Sequence, residues 1–509
     1  MKKLIIFLIL FSYIGRVISQ NKMGNTWIVG IHKMPIAEFN GIQPPNTVIL
    51  KTNAAIGYPF DYFRSHSNIS DSSTGKLLFS CNAMRIYDTS GALMQNGDSL
   101  QPLKIYTMNN PPSQPVTQGS LILPKGNSGE YYVFVTTVSD SLYDALWVPD
   151  IRTPFDELRY NVVNMNLNGG LGTVTAKNKS LLIKTEMIRT MMQACRHANG
   201  TDWWLLKQMG PDDNNKIARF LVTKDSIYGP YYQYFSTPNW GFDYGVGQLA
   251  FSKDGKRYAA VHSKSNKLFV ADFDRCSGEL SNPKVFNIPL DSTTIPNPQP
   301  QYVIDTGTTG VCFSPNGKFA YITKRYNIYQ FEFDEPDSSL AWSLIQHGPD
   351  TTHAKFEYYG QLLLGPDERI YIGKGGGTHR QFSVIDYPNN KGLACGFCKK
   401  CFRLPDSSFT ATTSPPNMPD YTLGADLTKV CWPLSIDEIR MEGEKLEVFP
   451  NPANAVINIK TEIIGKRELY NSVGQLLIVT NLNEIDVRKY SKGIYYIKVG
   501  NTVRKIIIE

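Results

Sequence analysis

The amino-acid sequence predicts an all-β protein in two parts: a β-propeller of about seven blades followed by a small C-terminal β-sandwich. Strand–turn–strand units recur through residues 20–435, and a recurring period indicates a repeat architecture. Short alternating strands separated by turn residues fill about the last 66 residues. No long amphipathic helical pattern interrupts either part. With 509 residues, 42% of them hydrophobic and 19% charged, the chain has a globular composition and room for roughly two to four domains.

The first element is a secretory signal peptide over residues 1–19. A short basic start precedes the apolar run Leu4–Phe11, and small residues lead to a predicted cut between Ser19 and Gln20. The run is too short to span about 30 Å of hydrocarbon as a stable helix, although a retained membrane anchor is the alternative. No later stretch has about 18 consecutive apolar residues. We therefore expect no transmembrane segment in the mature chain.

Three hairpin units carry the propeller repeat most clearly. In each, a strand leads into a turn with Lys or Pro, then Asp or Asn, and usually Gly, before the next strand begins. The equivalent positions Phe251, Phe313 and Leu364 lie 62 and 51 residues apart. That spacing suits blades of three or four strands, so residues 20–435 allow seven or eight blades, of which we favour seven. Two stacked β-sandwiches would explain the strand content but not the spaced hairpins.

The charge distribution excludes a nucleic-acid partner. Lys and Arg number 52 against 45 Asp and Glu, a formal charge of +7. The excess lies mostly in the signal peptide and the C-terminal part, so residues 20–443 are close to neutral. A near-neutral domain lacks the basic surface that phosphate backbones require.

The cysteines predict disulfides rather than a metal site or any other cofactor. An even number of cysteines in an exported chain favours disulfides, whose connectivity the spacing leaves open. The C-terminal cluster could alternatively present thiolates to zinc or an iron–sulfur cluster. A bridge there would hold the Pro-rich loop Thr412–Pro419. The candidate disulfide cysteines are Cys81, Cys195, Cys276, Cys312, Cys395, Cys398, Cys401 and Cys431.

Two groups of residues are candidate ligand contacts. Arg196, His197 and Trp203 would place a cation, an imidazole and an indole at a propeller rim, where sugars stack on aromatic faces. The alternative is a turn that closes a blade, with its tryptophans in the sheet core. The second group lies in an aromatic-rich stretch that could equally pack between blades; its members are Tyr231, Tyr232 and Trp240. No Gly-x-Ser-x-Gly elbow is present, and no catalytic residue is predicted.

The last part of the chain alternates apolar and polar residues in short strands. Proline cannot donate to a ladder, so Pro450-Asn451-Pro452 ends the first strand, and Gly474 suits a hairpin turn. These blocks resemble the type A C-terminal sorting domain of the type IX secretion system of Bacteroidota-type bacteria. The matching blocks are Val448–Ala453, Leu469–Gln475, Lys492–Val499 and Lys505–Ile508, with Pro450, Asn451, Pro452, Gly474, Gly493 and Tyr495 as the motif residues.

That resemblance implies that the type IX machinery exports the chain through the outer membrane. It also implies removal of the sorting domain at the surface, with the remainder attached there or released. A generic accessory sandwich is the alternative. The hairpins of residues 70–400 are similar to those of WD40-like propellers found on secreted and cell-surface proteins. The expected layout is a signal peptide at 1–19, a propeller at 20–435, a linker at 436–443 and a sorting domain at 444–509.

The functional hypothesis is a secreted or surface-attached propeller that binds a glycan, a peptide or an envelope protein. The rival is a propeller enzyme, such as a lyase, a lactonase or a glycosidase, with His or carboxylate groups converging at the channel mouth. A structural or adhesion role is a third possibility. Titratable groups gathered at the channel mouth would favour the enzyme.

Overall fold

The computed structural model divides the chain into two compact units, with the boundary between Asp426 and Leu427. It describes residues 21–30, 35–49, 65–101, 116–146, 155–210, 216–235, 247–263, 265–290, 292–295, 301–304, 307–347, 358–375, 381–404, 411–412, 414–428, 431, 446–461, 465–471, 476–499 and 502–509. The predicted cleavage residues Ser19 and Gln20, together with Trp240 and Gly474, lie outside these ranges. Each unit is described by itself.

Within the described residues, the first unit contains seven antiparallel sheets of three or four consecutive strands, which we call blades, and one two-stranded hairpin. Blade 1 contains β1 (Thr26–Ile28), β2 (Pro35–Glu38) and β3 (Asn46–Ile49); blade 2 contains β4 (Ser67–Ser70), β5 (Leu77–Cys81) and β6 (Ile86–Asp88). Blade 3 contains β7 (Ser120–Pro124), β8 (Glu130–Thr137), β9 (Glu157–Asn164) and β10 (Thr173–Leu182), with the short helix α1 (Asp140–Leu146) between β8 and β9.

The remaining four blades have four strands each. Blade 4 contains β11 (Met187–Arg196), β12 (Trp203–Met209), β13 (Lys216–Val222) and β14 (Ile227–Tyr234). Blade 5 contains β15 (Gly247–Phe251), β16 (Arg257–His262), β17 (Lys267–Phe273) and β18 (Leu280–Asn287), and is followed by a hairpin of β19 (Ser292–Ile295) and β20 (Gln301–Ile304). Blade 6 contains β21 (Thr308–Phe313), β22 (Phe319–Lys324), β23 (Ile328–Glu332) and β24 (Trp342–Gln346); blade 7 contains β25 (Tyr358–Leu364), β26 (Ile370–Gly375), β27 (Gln381–Ile385) and β28 (Phe397–Arg403).

Local side-chain chemistry forms the turn between the first two strands of a blade. In blade 5, Ser252 Oγ accepts a hydrogen bond from the Arg257 amide at 2.9 Å, and Asp254 Oδ1 accepts from the Lys256 amide at 3.0 Å. Gly255 sits at φ +69°, a conformation that other residues adopt only with strain. The turn of blade 6 repeats these bonds through Ser314, whose Oγ accepts from the Phe319 amide at 3.0 Å. These are the hairpins that the sequence predicts.

The seven sheets close into a ring. The first strand of each blade contacts the first strand of the next, from β1 through β4, β7, β11, β15 and β21 to β25. Between blades 7 and 1, the Tyr371 ring lies 5.4 Å from Trp27 and 5.5 Å from Phe39, measured between ring centroids. The fold is therefore a β-propeller with the predicted number of about seven blades.

The chain itself locks the ring. After blade 7 it returns to blade 1, where Ala411 forms an antiparallel bridge with Gly30. The Thr412 amide donates to the Val29 carbonyl at 3.0 Å. Blade 1 thus combines the beginning and the end of the propeller sequence. We call residues 414–424, which follow this bridge, the central segment.

The second unit is a small sandwich of two antiparallel sheets. One sheet has the order β29-β30-β33, from β29 (Leu446–Phe449), β30 (Val456–Thr461) and β33 (Glu484–Asp486); the other has the order β32-β31-β34-β35, from β31 (Arg467–Asn471), β32 (Leu476–Thr480), β34 (Gly493–Val499) and β35 (Thr502–Ile508). Leu446, Ile457, Leu469, Ile497 and Ile506 share one core between the sheets. The alternating pattern of the sequence predicts this arrangement, because buried residues alternate with more exposed ones along β30 and β34.

Across the ranges that the structure describes, no helix has the length and apolarity needed to cross a membrane.

Candidate functional site

Buried glutamine side chains satisfy the channel-facing edges of the first strands. Gln248 donates from Nε2 to the Leu362 carbonyl at 2.7 Å, and its Oε1 accepts from the amides of Val311 and Leu362, each at 3.2 Å. A first strand has no sheet neighbour on its channel side, so its backbone groups need other partners. A carboxamide supplies both a donor and an acceptor. Gln248 therefore ties blade 5 to blades 6 and 7.

Two further glutamines repeat this role. Gln118 exchanges hydrogen bonds with both backbone groups of Leu249, at 2.9 Å and 3.0 Å. Gln361 donates to the Gly247 carbonyl at 3.0 Å. The sequence signal was available, because Gly-Gln-Leu recurs at 247–249 and 360–362 at the start of the hairpin repeat. No role was predicted for these glutamines from the sequence.

The central segment occupies the middle of the ring and is held there by Asn417. The Asn417 amide donates to the His66 carbonyl at 2.8 Å. Its Nδ2 donates to the carbonyls of Ser120 and Met192 at 2.9 and 3.1 Å. Its Oδ1 accepts from Gln118 and Gln193 at 3.3 and 3.1 Å. Asn417 thus reaches blade 2 through its backbone amide and blades 3 and 4 through its carboxamide.

The rest of the central segment is tied down by Tyr421 and two arginines. The Tyr421 hydroxyl donates to the Ile122 carbonyl at 2.8 Å, and burial raises the pKa of this phenol above its usual range. Arg196 donates to the Tyr421 carbonyl at 3.1 Å, and Arg275 donates to the Gly424 carbonyl. The loop Thr412–Pro419 was expected to need a disulfide because it would otherwise have few partners. Instead, residues 414–419 are buried, and Asn417 and Met418 are hydrogen-bonded to groups of the blades.

A cavity of about 150 Å³ lies on the face where the first strands end in their hairpin turns. The first strands of blades 4 to 7, the start of blade 1 and the central segment enclose it. Its apolar lining includes Ala250, Phe251, Phe313, Leu363, Leu364 and Leu423. Three of these, Phe251, Phe313 and Leu364, occupy equivalent positions in the three hairpin units whose spacing defines the sequence repeat. The repeat therefore delivers an apolar residue from each of three blades to one place.

The polar part of this cavity is centred on Arg196. The Arg196 guanidinium stacks on the Trp203 ring, 4.0 Å from its centroid, and donates from Nη1 to the Gly200 carbonyl at 3.1 Å. Its Nε is buried and has no acceptor among the described residues. Burial lowers the pKa of Arg196 to about 10, and nearby Asp420 opposes that shift. Asp420 and Lys253 also line the cavity, and Lys253 pairs with Glu368 across blades 5 and 7.

Two thiols line the same cavity without being activated. Cys195 and Cys312 are buried, and burial raises the pKa of each to about 12. A thiol must be deprotonated to act as a nucleophile or as a metal ligand. Neither cysteine is therefore equipped for nucleophilic chemistry here.

The predicted ligand contacts occupy two separate places. Arg196, His197 and Trp203 are 8%, 7% and 1% exposed and lie together in blade 4. His197 Nε2 is 3.0 Å from the Cys276 carbonyl oxygen, while its Nδ1 accepts from the Asn199 amide at 3.0 Å. Of the three, Arg196 reaches the cavity. The burial of His197 and Trp203 agrees with the alternative, in which a turn closes the blade and its tryptophans lie in the sheet core. A ligand-contact role for these two residues stays a prediction.

Tyr231 and Tyr232 lie on β14, the last strand of blade 4, away from the cavity. The Tyr231 ring is 6.4 Å from the Trp204 ring, between centroids, and Lys216 Nζ is 4.3 Å from the centroid of Tyr232. A ligand-contact role for these tyrosines also stays a prediction.

The disulfide prediction holds for half of the cysteines. Cys398 and Cys401 form a disulfide within β28, and Cys276 and Cys431 are each disulfide-bonded. The prediction is wrong for Cys81, Cys195, Cys312 and Cys395, which are free and buried. These four belong to different strands or turns of the core, in blades 2, 4, 6 and 7, where they pack as small apolar groups. No group of three or more His, Cys, Asp or Glu able to hold a metal occurs among the described residues.

In the second unit, the motif residues anchor the last strand. Asn451 Nδ2 donates to the Lys505 carbonyl at 3.1 Å, and Asn451 Oδ1 accepts from the Ile507 amide at 2.8 Å. The Pro450 and Pro452 peptide bonds are both cis. The Tyr495 hydroxyl donates to the Ser491 carbonyl at 2.8 Å. The motif thus fixes how the first and last strands of this sandwich meet.

As far as the described residues go, the first unit is a β-propeller of seven blades, and the central segment of its own chain fills the middle of the ring. The second matches the family described as the secretion system C-terminal sorting domain, over residues 447–509. Residues 447–509 therefore form a type IX sorting domain, as the resemblance implied.

Solved structures show low similarity over most of the chain. A protein from Lactobacillus plantarum is 11% identical, with a TM-score of 0.35, covering 82% of this chain and 94% of its own. The periplasmic gluconolactonase of Pseudomonas aeruginosa is 13% identical, with a TM-score of 0.35, covering 83% of this chain and 94% of its own. Hsv2p of Kluyveromyces lactis is 11% identical, with a TM-score of 0.34, covering 72% and 90%. No curated protein matches the sequence significantly.

Proposed function

We propose that this protein is an exported binding protein. After signal-peptide cleavage and type IX export, the propeller acts in the secreted or surface-attached state and binds an extracellular glycan, peptide or envelope protein. The sorting domain is its export address, and the type IX machinery is its partner during export. The observation that supports binding most directly is the filled channel. The groups at its centre are carboxamides already bonded to backbone, and the adjoining cavity is mainly apolar.

Export is tested by deleting residues 444–509 and following the protein in cell fractions. The truncated protein should accumulate in the periplasm, while the full chain reaches the surface or the medium. Lys460→Ala, at an exposed position of the sorting domain, is the matched control and should be exported normally. Normal surface delivery of the truncated protein would contradict the address role.

Binding is tested with the purified mature chain, residues 20–509, incubated with extracellular polysaccharides and peptides. Mass spectrometry identifies what is retained and whether its mass has changed. A retained and unaltered ligand supports the binding role. A ligand of altered mass would instead support the rival propeller enzyme and contradict the proposal.

A further inference from the structure

We infer that the Cys398–Cys401 disulfide is a site of thiol–disulfide exchange, which an external dithiol reduces while the propeller stays folded, and that its reduction loosens the last strand of the ring. The inference concerns β28 of blade 7 and does not depend on which ligand the propeller binds. It can therefore fail while the proposed binding function stands, and the reverse also holds.

The position of the disulfide makes it accessible to a second molecule. Among the described strands, β28 pairs only with β27, so it is the outer edge of blade 7. Cys401 is exposed, and Cys398 is partly exposed. Lys399 and Lys400 lie between them and add positive charge, which favours the approach of one thiolate and the departure of another. The disulfide closes a loop too short to stabilise the fold strongly, and its Cys-x-x-Cys spacing is one in which exchange occurs.

The free thiol nearest in sequence does not attack this bond. Cys395 is buried, and burial raises the pKa of its thiol above the usual range. The other free cysteines are buried as well. The thiolate is the nucleophile in exchange, so the attacking sulfur must come from outside the protein.

The exchange transfers two electrons and two protons from the dithiol to the cysteine pair. A thiolate of the dithiol attacks the exposed Sγ of Cys401, the bond between the two cysteine sulfurs breaks, and Cys398 leaves as a thiolate that takes up a proton. The second thiolate of the reductant then attacks the reductant sulfur of the mixed disulfide and releases Cys401, which is protonated in turn. The protein ends as a dithiol and the reductant as a disulfide.

The disulfide closes a bulge in β28. The strand pairs with β27 on both sides of the bulge, but residues 399–401 all lie opposite Ser383. The disulfide spans them, from the paired residue before the bulge to its final residue. The Lys400 amide also donates to Ser383 Oγ at 3.2 Å, a bond that survives reduction. Reduction therefore removes the covalent limit on the width of the bulge.

The bulge adjoins the seam that closes the ring. Phe402, directly after Cys401, is buried and packs on Tyr371, with 5.5 Å between the ring centroids. Tyr371 in turn contacts Trp27 and Phe39 of blade 1. Opening the bulge therefore frees the strand that supports the contact between blades 7 and 1.

The first test shows whether reduction occurs in the folded protein. The oxidised mature chain, residues 20–509, is incubated with dithiothreitol at pH 8, alkylated with N-ethylmaleimide and digested for mass spectrometry. We expect Cys398 and Cys401 to be alkylated at least tenfold faster than the buried free thiols, which react only when the propeller unfolds. These internal controls are Cys81, Cys195, Cys312 and Cys395. Equal rates, or no alkylation of Cys398 and Cys401, would overturn the inference.

The second test measures what reduction does to β28. Amide hydrogen exchange of residues 397–404 should be at least tenfold faster in the reduced protein than in the oxidised one, whereas β17 of blade 5 should exchange equally in both. The variant that combines Cys398→Ser and Cys401→Ser should show the fast exchange without reductant and no further change with it. Arg403→Ser, at an exposed position of the same strand, is the control variant and should keep the slow exchange. Unchanged exchange of residues 397–404 after complete reduction of the parent would overturn the inference.

Discussion

The two units of the chain use the carboxamide of asparagine in contrasting ways. In the propeller, Asn417 is buried, and its Oδ1 is bonded to Gln118, which lies 299 residues away in sequence. In the sorting domain, Asn451 is exposed, and its Oδ1 is bonded to Ile507, 56 residues away. The propeller is therefore held by contacts that link distant parts of the chain. In the sorting domain, the motif asparagine reaches only the last strand of the same small sandwich.

The largest effect is expected from removing the residues that close the ring. A chain ending at Arg403 lacks the bridge to Gly30 and the whole central segment. A chain ending at Cys431 keeps both and lacks the sorting domain. We expect the first to fail to fold, because the polar groups of the channel lose their partners and the ring loses its lock. The second should melt cooperatively.

Circular dichroism melting of the two truncated chains and the mature chain provides the measurement. Similar cooperative melting of the chain ending at Arg403 would show that the ring closes without its last segment.

The contrast also shows what the sequence could predict of the fold. The hairpin turns were predictable because Ser252 and Asp254 bond to amides within five residues. The central segment was not, because its partners lie in blades 2 to 5, far away in sequence, and its Pro-rich composition indicated only a loop. The same reason applies to Gln248 and Gln361, which belong to the recurring Gly-Gln-Leu but find their acceptors in another blade.

The candidate site was predictable only in fragments. Arg196 was predicted as a ligand contact because of its sequence neighbours His197 and Trp203. The cavity that Arg196 lines is formed largely by Phe251, Phe313 and Leu364, which the sequence analysis used only to measure the spacing of the hairpin repeat. The cysteine count gave no means of separating disulfides from free thiols, because that depends on which sulfurs meet in three dimensions.

The next largest effect is expected from Asn417→Leu. This change removes four side-chain hydrogen bonds: one from each of the Gln118 and Gln193 amides, and one to each of the Ser120 and Met192 carbonyls. Buried polar groups left unsatisfied in a network are costly, so we expect the free energy of unfolding to fall by about 3–5 kcal/mol. Urea unfolding measures it. Asn46→Leu, at an exposed position of β3, is the control and should change stability by less than about 0.5 kcal/mol. Equal losses in the two variants would refute the role of Asn417.

A smaller effect is expected from Tyr421→Phe. The loss of the hydrogen bond to the Ile122 carbonyl should lower the free energy of unfolding by about 1–2 kcal/mol at neutral pH. Burial raises the pKa of Tyr421 above its unfolded value of about 10, so the folded protein retains the phenolic proton that the unfolded chain releases at high pH. The contribution of this group is therefore complete below about pH 10 and is lost as the pH rises above it.

Unfolding of the parent and of Tyr421→Phe by urea between pH 8 and pH 11 checks the sign. Stability of the parent should decline more steeply than that of the variant above about pH 10. Parallel declines would mean that the Tyr421 phenol ionises as readily in the folded protein as in the unfolded chain.

The smallest effect on stability is expected from Asn451→Ala, the sorting-domain counterpart of Asn417. Its two hydrogen bonds to the last strand are exposed, so water replaces them in the variant and the loss should be about 1 kcal/mol. Neighbouring Asn454→Ala, also exposed, is the matched control. Urea unfolding should show a shift for Asn451→Ala, and fractionation should show less exported protein, while Asn454→Ala behaves like the parent. If both variants were exported normally, the motif asparagine would serve only to hold the last strand, and recognition by the export machinery would depend on other residues of the sandwich.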